Sequence, residues 1–284
     1  MVELGYGGIN ERDGLKLRER GEGLTTDHPV PVRGASMKLV AAQIRSMAGD
    51  IDANIERHTR FIERAAFHGG AAVCFPELSL TGYEPRMAQR LAMASDDSRL
   101  DVFQALSNRH RLLIAVGAPY RGRHGTEIGM FVFRCHQTPA VYAKQILHDD
   151  ELPYFSAGDR AMTFPLGGAV LAPAICYESL QEHHARDATA AGATVYLASV
   201  AKAARGVDTA YRHYPAIARQ HGLTVLMANG VGPADDFTMP GSSAAWSDDG
   251  DRVCNAGTDE EAIVVFDLAT RRGEVVSFAR PEAL

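Results

Sequence analysis

An α/β fold is predicted, a mixed sheet covered by helices in one domain. Three observations predict it. Strand-like and helix-like runs alternate from Met37 onward, extra hairpin-like strands interrupt that alternation, and neither a repeat nor a linker divides the chain. Residues 38–44, Lys-Leu-Val-Ala-Ala-Gln-Ile, read as a buried strand. Residues 51–67 read as a helix, with Ile51, Ile55 and Ile62 on one face at spacings of four and seven. A short apolar strand at 72–75 ends in Pro76-Glu77, and helical spacing returns over 99–109 through Leu100, Phe103 and Leu106. Strand-like runs follow at 112–116, 130–135 and 140–146. A second cycle reads strand 169–175, helix 179–190, strand 194–199, helix 210–220 and strand 224–228, with further strands at 243–246 and 262–266.

The chain has 284 residues, 46% of them hydrophobic and 23% charged, which is enough for a core without disulfide or metal staples. With 29 Lys and Arg against 35 Asp and Glu, the net charge is −6, and no long basic block supplies the footprint that nucleic acid needs. No apolar run approaches a membrane span, and the N-terminus has no signal-peptide core. The four cysteines, Cys74, Cys135, Cys176 and Cys254, form no CxxC pair, so the expected compartment is reducing and cytoplasmic. Residues 1–36 hold 7 of the 27 glycines and no sustained period. They read as an N-terminal extension, disordered or non-native, ahead of a domain at 37–284.

Three residues carry candidate chemistry. Cys176 ends the apolar run Leu171-Ala-Pro-Ala-Ile and precedes a helical segment, where backbone N–H groups favour a thiolate and an oxyanion. Glu77 ends another apolar strand before a Gly/Pro-punctuated loop, a place where it can move protons. Lys144 lies in Val141-Tyr-Ala-Lys-Gln-Ile146, on an apolar strand where an ammonium needs an anionic partner. Singly, each has a plain structural reading: a buried thiol, a capping acid, a strand-edge lysine. Together they make a nucleophile, a base and a cation at the ends of different strands.

In this arrangement the chain resembles the carbon–nitrogen hydrolase, or nitrilase-like, superfamily of Glu–Lys–Cys amidases. The resemblance rests on three ordered blocks: Phe75-Pro-Glu77 through Thr81-Gly-Tyr83; Tyr142-Ala-Lys144 with Glu151, Phe155 and Gly158; and Ile175-Cys176-Tyr177-Glu178. Ala191-Gly-Ala193, Ala228-Asn229 and Gly241-Ser-Ser243 extend it, over about residues 37–268. It implies a four-layer α-β-β-α sandwich, commonly a homodimer or larger homo-oligomer, with no cofactor. It also implies that Glu77 acts as proton shuttle, Cys176 as nucleophile forming a thioester, and Lys144 with the Tyr177 N–H as oxyanion donors. Glu151 would orient Lys144 or relay protons.

Two departures bear on substrate. Gln220-His221 stands where members often have Glu-Asn, and Ser199-Val-Ala-Lys202 replaces an Asn-Pro or tryptophan loop. Tyr177 rather than tryptophan after the cysteine leans towards an amide over a nitrile. Small primary amides, N-carbamoyl compounds and ω-amides stay open. Tyr83, Tyr154, Phe155, Ser199 and Lys202 are pocket candidates. If Lys202 faces the pocket it favours a substrate carboxylate; otherwise it is a solvated loop lysine. Other readings are a nitrilase or thiol acyltransferase on the same scaffold, and a binding protein without turnover. Asp149 and Asp150 read as a solvated loop rather than a metal site, and His183-His184 as a solvated helix face. Gly5-x-Gly-Gly8 follows no strand, and Gly241-Ser-Ser-Ala lacks the serine-hydrolase elbow.

Overall fold

The computed structural model describes residues 36–278. The expected extension, residues 1–36, lies outside them but for Ser36. The first half runs β1 (Lys38–Gln43), α1 (Ile51–Phe67), β2 (Gly70–Cys74), α2 (Ala88–Leu91), α3 (Asp101–His110), β3 (Leu113–Gly122), β4 (Gly125–Phe133) and β5 (Ala140–Ala143). Next come β6 (Phe164–Leu166), β7 (Ala169–Ile175), α4 (Glu182–Ala190), β8 (Val195–Val200), α5 (Ala204–His221) and β9 (Thr224–Asn229). The chain closes with β10 (Val231–Ala234), β11 (Phe237–Pro240), β12 (Ala244–Trp246), β13 (Arg252–Asn255), β14 (Ala262–Asp267) and β15 (Arg272–Ser277).

Two mixed sheets result. One has seven strands in the order β15-β14-β1-β2-β3-β4-β5, and the other has six, β13-β12-β9-β8-β7-β6. Only β1-β2-β3 and β7-β8-β9 are parallel runs; every other pairing is antiparallel. Successive side chains of a strand point to opposite faces, so an all-apolar strand must be buried twice. In β1, Leu39 and Ala41 join a core that includes Leu171, Val195 and Leu226 of the other sheet. Val40 and Ala42 face Phe61 and Ile62 of α1 instead. Across the six-stranded sheet, Tyr196 and Ala198 pack with Tyr214 and Ile217 of α5. The layers are therefore helix, sheet, sheet, helix: the expected α-β-β-α sandwich. No helix among the described residues is long and apolar enough to cross a membrane.

The helix expected over 51–67 is α1 to the residue; Asp50 caps it by accepting from the Ala53 N–H at 3.1 Å. Elsewhere the boundaries moved for physical reasons. The strand expected to run through 146 stops at Ala143, because the N–H groups of Gln145 and Ile146 donate to the Glu178 carboxylate at 2.7 and 3.3 Å. The helix expected at 179–190 is a 3-10 turn, Glu178–Leu180, then α4 after an extended Gln181. The helix expected from 210 starts at Ala204, its first turns hidden by Gly206. Pro173 interrupts no ladder, since β6 pairs with β7 only as far as Leu171 and leaves an open edge beyond it.

Candidate active site

Glu77 leaves the end of β2 in a tight loop held from two sides. The Phe75 N–H donates to Ala115 O at 2.9 Å and the Leu80 N–H to Gly117 O at 2.9 Å, both on β3. A Cβ on Gly117 would lie 2.5 Å from Pro76 O and 2.6 Å from Leu78 N, so β3 approaches this closely only because residue 117 is glycine. From the helix side, Asn54 Nδ2 donates to Leu80 O at 3.1 Å, and His58 meets the Ser79 hydroxyl at 3.0 Å. Burial holds the His58 pKa down at about 4, so the ring is neutral. Its Nδ1 lies 2.6 Å from Asn54 O, which can only accept; Nδ1 therefore carries the proton and Nε2 accepts from Ser79.

Lys144 follows β5 directly and is fully buried. Its N–H donates to Ile128 O at 2.9 Å and its carbonyl accepts from the Gly158 N–H at 2.8 Å. A Cβ on Gly158 would meet Ala143 O at 2.5 Å, which requires a glycine at that contact. Cys176 follows β7, with its N–H on Ser199 O at 2.9 Å and its backbone in the left-handed region at φ 47°. The Ser179 hydroxyl and N–H both donate to Cys176 O, at 2.6 and 3.2 Å, and hold that turn.

These strand ends bring Glu77, Lys144, Glu151 and Cys176 together. Lys144 Nζ donates to Glu77 Oε1 at 2.8 Å and to Glu151 Oε1 at 2.6 Å. Glu151 is further held by the Tyr83 hydroxyl at 3.2 Å and the His148 N–H at 2.8 Å. Among the described residues no nitrogen or oxygen donor meets the other, buried Glu77 oxygen, Oε2, and the Cys176 thiol is the neighbour that bonds the Glu77 carboxylate. Burial pushes the Glu77 pKa up to about 7, against the opposing pull of Lys144 and of the neighbouring Cys176 thiol. Burial and the Glu77 charge push the thiol up to about 11, although Lys202 and Lys144 draw it back. Burial disfavours the Lys144 ammonium, yet Glu77, Cys176 and Glu151 outweigh it and hold its pKa above the ordinary lysine range. The arrangement thus pairs a titratable base with a protonated thiol beside a permanent cation.

Cys176 opens on a cavity of about 390 Å³, lined in part by Tyr83, His148, Tyr177, Lys202 and Phe237. Of the pocket candidates, then, Tyr83 and Lys202 line the cavity. Lys202 is not a solvated loop lysine: it is only 6% exposed, and its Nζ lies 3.7 Å from Cys176 Sγ. The other three sit elsewhere. Tyr154 is 38% exposed and turned towards Arg86, Phe155 is packed in the inter-sheet core, and Ser199 spends its hydroxyl on Phe75 O at 2.8 Å. Asp149 and Asp150 are exposed, the latter 2.7 Å from His148 Nδ1.

His183-His184 is not a solvated face. His183 is exposed, but His184 is buried, with its ring nitrogens 2.6 Å from the Tyr196 hydroxyl and 3.0 Å from that of Tyr142. The Tyr142 hydroxyl donates to Glu178 Oε1 at 2.7 Å. Glu178, read in the sequence only as part of a motif, is fully buried and also accepts from the Ile175 N–H at 2.7 Å. Its oxygens therefore tie the strand before Cys176 to the loop after Lys144. An acid two residues beyond the cysteine was the available signal, and its buried partners come from a distant strand.

Comparison with known proteins places this geometry in context. A family model described as carbon-nitrogen hydrolase matches residues 38–275. Curated relatives include the glutamine-dependent NAD(+) synthetase of Rhodobacter capsulatus, 26% identical over 238 residues, and that of Aquifex aeolicus, 23% identical over 242. These alignments cover 81% and 82% of this chain but 43% and 42% of those proteins, so the chain spans less than half the length of the curated relatives it matches. Among solved structures, a mutant of the amidase from Nesterenkonia sp. AN1 in complex with butyramide superposes with a TM-score of 0.75 at 22% identity, covering 84% of this chain and 93% of that one. Another mutant of that amidase shows covalent addition of the acetamide moiety of fluoroacetamide at its active-site cysteine; it superposes with a TM-score of 0.75 at 22% identity, over 86% and 96% of the two chains.

Proposed function

The chain belongs to the carbon–nitrogen hydrolase family, and from that premise we propose that it hydrolyses the amide of a small molecule through a thioester on Cys176. The observation that carries this reading is the bridge of Lys144 between Glu77 and Glu151, with the Cys176 thiol against the Glu77 carboxylate. Glu77 Oε2 takes the thiol proton as Sγ attacks the amide carbon. The thiol holds its proton more tightly than the carboxylate does, so transfer accompanies attack rather than preceding it. An ammonium has three donors, and two of those on Lys144 are engaged by carboxylates. The third, with the Tyr177 N–H, receives the oxyanion. Glu77 then protonates the departing ammonia, leaving the thioester. Water, deprotonated by Glu77, releases the acid and restores the thiol.

Glutamine is a second candidate substrate, favoured by the glutamine dependence in the names of the curated relatives. The test is ammonia release from a pooled panel of small amides, glutamine, N-carbamoyl amino acids and nitriles, with Cys176→Ala alongside. Release from amides by the wild type alone is expected. Equal release by the variant would overturn the thioester. Adding hydroxylamine separates acyl transfer, since hydroxamate in preference to acid would mark an acyltransferase.

A further inference from the structure

Lys202 is a buried lysine whose ammonium is paired with no acid among the described residues. Among the described residues, its Nζ makes one hydrogen-bond contact, the 3.7 Å approach to Cys176 Sγ. A buried charge ordinarily needs an opposite charge and hydrogen bonds for each of its donors. Lys144, at the same cavity, has two carboxylates, whereas Lys202 has none. Asp150, the other acid that lines the cavity with Glu151, is exposed and engaged with His148.

The position of Lys202 is built rather than incidental. Its N–H donates to Asn229 Oδ1 at 2.9 Å and its carbonyl accepts from Asn229 Nδ2 at 3.2 Å, so β9 clamps its backbone on both sides. Its stem lies against Gly206, where a Cβ would come within 3.2 Å of Lys202 Cβ. Gly206 therefore leaves room for the lysine stem at the first turns of α5.

We propose that Lys202 is an anion subsite that selects amides carrying a carboxylate close to the scissile carbonyl. The proposal rests on the amidase reading for the word amide, and on geometry alone for the anion. A carboxylate oxygen at charge-assisted hydrogen-bond distance from Nζ lies within about 6.5 Å of Sγ. That reach covers a carboxylate separated from the acyl carbon by at most about two methylene groups. Half-amides of short dicarboxylic acids fit this description. In glutamine the carboxylate stands one carbon further away. Activation of the thiol is the competing role for Lys202, which draws the Cys176 pKa down while burial and Glu77 hold it up. The two roles differ in what they do to a charged and an uncharged reagent.

The test uses alkylation of Cys176 in the full chain, which needs no substrate. Iodoacetate and iodoacetamide differ only in replacing a carboxylate by an amide, one carbon from the reacting atom. Rates are read at the Cys176 peptide by mass spectrometry, with Cys135 as internal control. The iodoacetate-to-iodoacetamide ratio at Cys176 is expected to fall at least tenfold in Lys202→Met and to stay unchanged at Cys135. An unchanged ratio overturns the proposal. So does an equal slowing by both reagents, which would make Lys202 a thiol-activating residue. Should Lys202→Met fail to fold, malonate protection of wild-type Cys176 against iodoacetamide decides the matter: protection is expected, and its absence overturns the subsite. A tenfold change in ratio from a protein that hydrolyses no amide would sink the amidase reading and leave the anion subsite standing.

Discussion

Cys176 sits at φ 47°, a conformation that costs a residue with a Cβ roughly 1–2 kcal/mol. Cys176→Ala and Cys176→Gly are both expected to abolish turnover, but the glycine variant should be more stable by about 1 kcal/mol, measured by denaturant unfolding. Equal stability would mean that the turn holds no strain. In the proposed mechanism Glu77 sets the pH dependence. Its pKa is about 7, and only the carboxylate can take the thiol proton. Below pH 7 the base is protonated and idle, so kcat/KM is expected to rise about tenfold per pH unit and level off above 7. Lys144→Met removes the largest influence opposing burial, so the apparent pKa in any residual activity should move above 7. A profile that stays put or moves down would detach Lys144 from Glu77. Glu77, Lys144 and Cys176 were legible because each lies within or at the end of an apolar run. The buried roles of Glu178 and His184 were not: the motif marked Glu178, but Tyr142, which both meet, lies on a strand some forty positions away.

At the level of elements, the loop carrying Glu77 depends on a glycine in the neighbouring strand. Gly117→Ala would drive a Cβ into Pro76 O and Leu78 N. Because the clash falls on backbone, the loop must move, and kcat is expected to drop at least tenfold while circular dichroism stays native. Full activity would show that Glu77 tolerates displacement. Elements with strong periodicity were legible: α1 and the doubly buried strands announce themselves by apolar spacing. The hairpin β10–β11 and the exposed β15 were not, since Val231-Gly-Pro-Ala has no alternation and β15 is largely solvent-facing. The end of β5 was misplaced because a side chain, Glu178, replaces its ladder partner.

At the scale of the molecule, the family match begins at residue 38 and every candidate site residue lies beyond it. A chain lacking residues 1–36 is therefore expected to retain its activity, measured by ammonia release and melting temperature; a large loss in either would make that segment part of the working unit. The two sheets share one apolar core, and the site is divided between them. Glu77 and Lys144 come from strand ends of the seven-stranded sheet, whereas Cys176 and Lys202 come from the six-stranded one. Trp246, the single tryptophan, lies on the six-stranded sheet against Tyr214, away from this seam. Its fluorescence therefore reports one sheet and its helices, while catalysis reports the registration of two. The shared core should make both signals vanish at the same denaturant concentration. Should turnover disappear first, the enzyme would have a slipped state in which both halves keep their structure and no longer meet.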